Sequence, residues 1–211
     1  MISVYTVNKN TEIEWIRQCA EAVAEQKFRK FNYVFLDYGS ENVEQIYYML
    51  MDILEDVDFK FVAIDQKHDF SFIDAIRTAI SNCSFKYVLR ADADDFMHRD
   101  CLKHLIMHSL GNSVIYPDYY VINEENKYIE VKMHNKFLPA HALIEKRVYN
   151  KVNYKNGQKF RDGTSLEVAL EKHPEFKVKH VEERLFFYRK HNNSLTSNKK
   201  EVAKADKEIN R

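Results

Sequence analysis

The stretch Lys86-Tyr87-Val88-Leu89-Arg90-Ala91-Asp92-Ala93-Asp94-Asp95 decides the fold. Its first half is a short apolar and aromatic run, the pattern of a strand. Its second half sets three carboxylates within four positions. Like charges so close disfavour one another, and either full solvation or a bound cation must offset the repulsion. A strand running straight into such a turn is a candidate ligand edge. The plainer alternative is a solvated acidic turn that caps a helix beginning near Met97.

Upstream, strand and helix patterns alternate. Ile2 to Val7 reads as a short buried strand. Thr11 then caps a helix carrying Ile16, Cys19, Ala20 and Val23 on one face. Tyr33 to Leu36 is a second strand, ending at Asp37-Tyr38-Gly39-Ser40, and Val43, Ile46, Tyr47, Leu50, Ile53 and Leu54 recur at helical spacing. Phe59 to Ile64 is a third strand and Ile73, Ile76 and Ile80 mark a third helix. Downstream of the aspartates, Leu102, Leu105, Ile106 and Leu110 form a helix stopped by Gly111-Asn112. Successive βα units predict an α/β fold with a mainly parallel central sheet, right-handed crossovers and helices on both faces. Ligands of such sheets lie beyond the carboxyl ends of the strands, where Asp37 and Asp92 both fall.

The second half is less regular. Val114 to Tyr116 reads as a strand, and Tyr119–Ile122 with Tyr128–Val131 as a hairpin around Glu124-Glu125-Asn126. Lys146–Val152 and Thr164–Glu171 read as helices, Phe176–Val181 and Leu185–Tyr188 as strands, and Ser197–Arg211 as a charged tail.

Composition narrows the function classes. The chain has 211 residues with 32 basic and 32 acidic side chains, so net charge offers no footprint for nucleic acid or an anionic membrane. No apolar run approaches the ~18 residues of a membrane span. Cys19, Cys83 and Cys101 lack CxxC spacing and are expected as reduced thiols. The start, Met1 to Val7, has no basic leader pattern and reads as the first strand, so a cytoplasmic protein is expected. His104 and His108 stand one helical turn apart with no evident third ligand, which favours a solvated face over a zinc site.

Several motifs, in order, resemble those of inverting GT-A-fold glycosyltransferases of the family-2 type. They are Ile2-Ser3-Val4 with Asn10, Glu25-Gln26-Lys27-Phe28, Leu36-Asp37-Tyr38-Gly39-Ser40, Ala75 to Ile80, and the quoted stretch itself. Lys146 to Val152, Arg161-Asp162-Gly163, and Tyr188-Arg189-Lys190-His191-Asn192-Asn193-Ser194-Leu195-Thr196 follow. The resemblance implies a GT-A domain over 1–196, with a nucleotide-sugar-binding half at 1–112 and an acceptor-binding half at 113–196, before the tail at 197–211. It implies a nucleotide-diphosphate sugar as donor, a saccharide or other hydroxyl as acceptor, Mn²⁺ or Mg²⁺ as cofactor, and a place in polysaccharide biosynthesis. Asp94 would be the main metal ligand, Asp92 a ligand of the metal or the ribose, Asp95 their support and His191 an extra ligand. Val7, Asn10, Asp37, Arg77, Arg90, Asp92 and Arg189 would line the donor, Asp37 near the nucleobase and Arg189 near the diphosphate. Asp162 would be the general base.

This chain departs from the family pattern at Tyr38, where a second aspartate is usual, at Arg77 and Ala79 for an asparagine and a glycine, and at Arg161 for an acid or amide. Two alternatives stay open: a catalytically inactive nucleotide-sugar-binding module and a nucleotidyltransferase. The loop Val7 to Thr11 contains no glycine, against the backbone nest that a triphosphate needs. Taken alone, Asp162 could also be a helix cap and Arg189 a surface cation.

Overall fold

A computed structural model of the chain describes residues 1–65, 70–132, 139–154 and 161–192. Its first half runs β1 (Ile2–Asn8), α1 (Ile13–Ala24), β2 (Phe31–Asp37), α2 (Val43–Ile53), β3 (Asp58–Ala63), α3 (Phe72–Asn82) and β4 (Tyr87–Arg90). The short β5 (Phe96–Met97) and α4 (Cys101–Met107) follow the acidic turn. The second half holds β6 (Val114–Ile122), β7 (Tyr128–Lys132), a 3₁₀ turn at Pro139–His141, β8 (Leu143–Glu145), α5 (Lys146–Tyr149), α6 (Asp162–Lys172) and β9 (Val178–Arg189).

One sheet contains all of these strands in the order β3-β2-β1-β4-β8-β6-β9-β5, with β7 paired to β6. β3, β2, β1 and β4 are parallel, as the βα alternation predicts. β8 enters antiparallel to β4, and β6 lies antiparallel to β8 but parallel to β9. Every residue of β1 and β2 is buried, which explains why these strands read as near-continuous apolar runs rather than alternating ones. One core joins Ile2, Val4, Tyr33 and Phe35 to Ile16, Cys19, Ile46 and Leu50 from α1 and α2. The opposite face joins Tyr5, Val7, Val34 and Leu36 to Ala75, Ile76 and Ala79 from α3. The three cysteines are buried free thiols within these cores. No helix among the described residues is long and apolar enough to cross a membrane.

The differences from the sequence reading have local causes. The two strands expected at Phe176–Val181 and Leu185–Tyr188 are one strand, β9. Its register against β6 shifts at Asp118, so that Pro117 faces Val181 while Asp118 already faces Arg184. Glu182 and Glu183 are the extra pair, bulged out to solvent opposite a proline that has no N–H to give the ladder. The acidic turn does not cap a helix near Met97. Instead Phe96 and Met97 pair with Phe187 and Phe186, and α4 starts at Cys101. α1 begins after Glu12, with no side-chain cap from Thr11. α4 and α5 are shorter than expected, and α6 starts two residues early, at Asp162. The end of the last motif, from Asn193, and the charged tail lie outside the described residues.

Candidate active site

The site gathers at the carboxyl ends of β1, β2 and β4. Thr6 Oγ1 donates to the Ala91 carbonyl at 2.6 Å and receives the Tyr33 hydroxyl at 2.8 Å, which ties β1 to β2 and to the residue that follows β4. Beyond Ala91 the chain turns through the aspartates. Asp92 and Asp94 keep 25% and 28% of their side chains exposed, so both can reach a ligand, whereas Asp95 is only 2% exposed.

Asp95 acts as a strut. It accepts the Arg189 backbone N–H at 2.7 Å and lies 3.0 Å from His141 Nε2, the imidazole itself stacked on Phe186 with centroids 4.3 Å apart. Burial holds its carboxyl well above the usual range, the charges of Asp94 and Asp92 add to the effect, and Arg189 opposes it. His141 belongs to no motif, and nothing in the sequence singles it out.

Asp162 comes from the far half of the chain, and Arg90 Nη1 donates to it at 2.7 Å. The same guanidinium lies 2.8 Å from Asp92 Oδ1 through its Nε. Burial pushes the Asp92 carboxyl up to about 6, with Arg90 opposing and the charges of Asp94 and Asp162 adding. Asp162 is gripped from both sides. Arg161 before it sits in the left-handed region (φ 68°), a strained conformation for a residue with a Cβ. Gly163 after it lies so close to Pro139 that an added Cβ would be 3.2 Å from the proline ring, closer than ordinary contact. The helix N-terminus that carries Asp162 therefore has little freedom. The alternative of Asp162 as a capping residue does not match, because Arg161 holds the cap position and makes no side-chain cap bond.

His191 Nε2 lies 2.8 Å from Asp94 Oδ2, and its Nδ1 is buried with no partner among the described residues. The imidazole packs on Trp15 at 4.8 Å, and the Arg189 guanidinium covers the same indole at 5.1 Å. Arg189 is 1% exposed and not a surface cation. Its Nε donates to the Asp94 carbonyl at 2.9 Å, Nη1 to Asn126 Oδ1 at 2.7 Å and Nη2 to Gln18 Oε1 at 2.6 Å, so in this arrangement it organises the turn. Trp15 and Gln18 were missed. The signal was available: they stand three residues apart on α1, off the apolar stripe of Ile16, Cys19, Ala20 and Val23, and a large aromatic there asks for a partner.

The remaining expected donor residues ring the β1 and β2 ends. Asp37 accepts four hydrogen bonds, from Asn8 Nδ2 (2.7 Å), Gly39 N (3.0 Å), Ser40 N (2.8 Å) and Ser40 Oγ (2.6 Å), which makes it the organiser of its loop. Asn10, at φ 55°, donates its N–H to Ser40 Oγ and accepts from Glu41 N. The Val7 side chain packs in the core, Arg77 is exposed on α3, and Tyr38 is buried beneath Lys9 and near Phe70. Burial pushes the Tyr38 phenol up to about 12, aided by the charges of Asp37 and Asp92, so a neutral ring stands where the family pattern has a carboxylate. His104 pairs with Glu183, and no group of three metal-binding side chains forms among the described residues.

The comparisons with known proteins agree with this fold. The family model described as glycosyl transferase family 2 matches residues 3–189. The chain belongs to that family. Among solved structures it is similar to S. aureus TarS 1–349 in complex with UDP-GlcNAc, with 14% identity, a TM-score of 0.73, and coverage of 93% of this chain and 60% of that one. It is similar too to the mannosyltransferase PcManGT of Pyrobaculum calidifontis in complex with GDP-Man and Mn²⁺, with 11% identity, a TM-score of 0.69, and coverage of 96% and 60%. At such identities the likeness is one of fold, and it bears out the GT-A architecture. This family-2 chain spans about 60% of the length of these neighbours. No curated protein matches it.

Proposed function

We propose that this family-2 chain transfers a sugar from a nucleotide-diphosphate donor to an acceptor hydroxyl with inversion, Asp162 serving as general base. The observation that carries the reading is that Asp162, from the second half of the chain, shares one arginine with the acidic turn of the first. The acceptor hydroxyl attacks C1 of the sugar while an Asp162 oxygen takes its proton. The bond from C1 to the phosphate oxygen breaks, and its electron pair leaves with the nucleotide diphosphate.

The donor set fits a hard divalent cation, Mn²⁺ or Mg²⁺, held by Asp92 and Asp94 with His191 beside them. Two part-exposed carboxylates repel each other in its absence, and such cations commonly complete their shell with substrate phosphates and water rather than with a third protein carboxylate. When bound, the cation neutralises charge on the departing diphosphate. The UDP-GlcNAc of the TarS complex and the GDP-Man and Mn²⁺ of the PcManGT complex make UDP- and GDP-sugars the first donors to test.

Trp15 is the chain's only tryptophan and touches His191, so its fluorescence reports this site alone. Titration with Mn²⁺ and either UDP-GlcNAc or GDP-mannose should quench it saturably, raise Tm, and release UDP or GDP in a reaction that a chelator stops. A ligand at a hundred times its Kd adds about 2.7 kcal/mol of stability. Emission, Tm and nucleotide release all unmoved by both sugars would refute the assignment; binding without release would leave a nucleotide-sugar-binding module in its place.

A further inference from the structure

Arg90 does more than neutralise charge. It is the last residue of β4, 6% exposed, and its guanidinium touches a carboxylate from each half of the chain. The two contacts differ. Nη1 makes a hydrogen bond to Asp162 at 2.7 Å. Nε lies 2.8 Å from Asp92 Oδ1 but makes no aligned hydrogen bond among the described residues. Asp162 is thus held by an aligned hydrogen bond, and Asp92 by a close ion pair on which the Nε–H is not aligned, so Asp162 is the more firmly aimed of the two. The Phe72 ring lies against the guanidinium, with Cζ 5.4 Å from the ring centroid. The neutral phenols of Tyr5 and Tyr149 stand close enough for their charge states to be felt by Arg90, and they offer it no competing anion.

We infer that Arg90 is a positioning residue that aims the base Asp162 from the strand end beside the donor-side carboxylate Asp92, coupling the acceptor half to the donor half. The inference rests on the reading of Asp162 as base. A rigid planar group serves where a point charge would not, since the guanidinium aims Nη1 at Asp162 while its Nε edge stays against Asp92, and lysine is no equivalent at such a site. In the buried setting, loss of the guanidinium leaves Asp162 both uncompensated and unaimed.

The test is a double-mutant cycle on metal-dependent nucleotide release, run with UDP-GlcNAc or GDP-mannose, with Trp15 emission reporting Mn²⁺ and donor binding. Arg90→Lys should lower kcat at least about tenfold and Arg90→Gln further, with donor KM within about twofold in both. Because Arg90 acts through Asp162, Arg90→Lys added to Asp162→Asn should reduce kcat no further. If the two losses multiply, or if Arg90→Lys raises KM and spares kcat, Arg90 acts elsewhere and the inference is overturned while the base reading stands. If Asp162→Asn alone turns over undiminished, the base reading fails and takes the inference with it. Should the Arg90 variants not fold by circular dichroism, Phe72→Leu keeps the arginine and removes the ring face above it. It should lower kcat several-fold in the parent and have no effect in Asp162→Asn; an equal effect in both backgrounds overturns the proposal.

Discussion

Two arginines flank the acidic turn, one on each side, and the company they keep differs. Arg90 meets carboxylates, Asp162 at 2.7 Å and Asp92 at 2.8 Å. Arg189 meets neutral oxygens: the Asp94 carbonyl at 2.9 Å and the side-chain amides of Gln18 and Asn126 at 2.6 and 2.7 Å. Burial alone would weaken the proton affinity of Arg90, but the Asp162 and Asp92 charges reverse this and hold it well above the ordinary value. For Arg189 burial prevails over Asp95 and Asp94, and the affinity is lowered. One flank therefore manages charge where chemistry is proposed. The other is scaffolding that fixes the backbone of the turn. The same residue type pairs with charge on one side and with backbone and amides on the other, and the two should fail differently.

The sharpest separation is expected from Asp162→Asn. The amide can still accept a hydrogen bond from Arg90 but takes up no proton, so kcat should fall by about 10²–10⁴ while the Trp15 response to Mn²⁺ and donor persists. An enzyme that loses donor binding together with turnover would show that the Arg90 flank is scaffolding as well, and the contrast would vanish. Arg189→Ala should behave the opposite way. It strips the Asp94 carbonyl, Gln18 and Asn126 of their shared donor, at a cost of about 3 kcal/mol, a fall in Tm of roughly 6–12 °C for a chain of this size. Thermal melts check it directly: a Tm within a degree or two of the parent would mean that water replaces the guanidinium at little cost.

This contrast also explains what was legible in the sequence. β1, β2 and β4 are buried on both faces, so each appeared as an apolar run, and the turn at Asp92 announced itself by charge density. Asp162 lies seventy positions beyond Asp92, and no periodicity relates the two; family resemblance named it, and only the fold reveals Arg90 between them. Arg189 was legible as a motif residue but not in its employment, because its partners Gln18, Asn126 and Trp15 come from α1 and the β6–β7 turn. Long-range polar pairing of this kind leaves no trace in spacing. Nor does the bulge at Asp118, since the charged Glu182-Glu183 pair interrupts the apolar pattern of β9 and made one strand look like two.

The smallest expected effect concerns protons and sharpens the charge-managing side of the comparison. Burial, with Asp94 and Asp162 nearby, places the Asp92 carboxyl at about 6 in the metal-free fold, against an unfolded value of about 3.9. A carboxyl raised on folding binds its proton more tightly in the folded state. Its contribution to stability is therefore fully present below about pH 4 and is lost as pH rises through about 6. Metal-free protein should show this component as a modest decline in Tm between those values. Mn²⁺ must displace that proton to bind, so the gain in Tm that it confers should grow over the same interval and level off above it. In Asp92→Asn the metal-free decline should lessen to the part that the buried Asp95 carboxyl, raised in the same direction, contributes, whereas Arg189→Ala should keep the whole decline on a lower baseline. A decline that survives unchanged in Asp92→Asn would assign it to another carboxyl and move the charge-managing role away from the Arg90 flank.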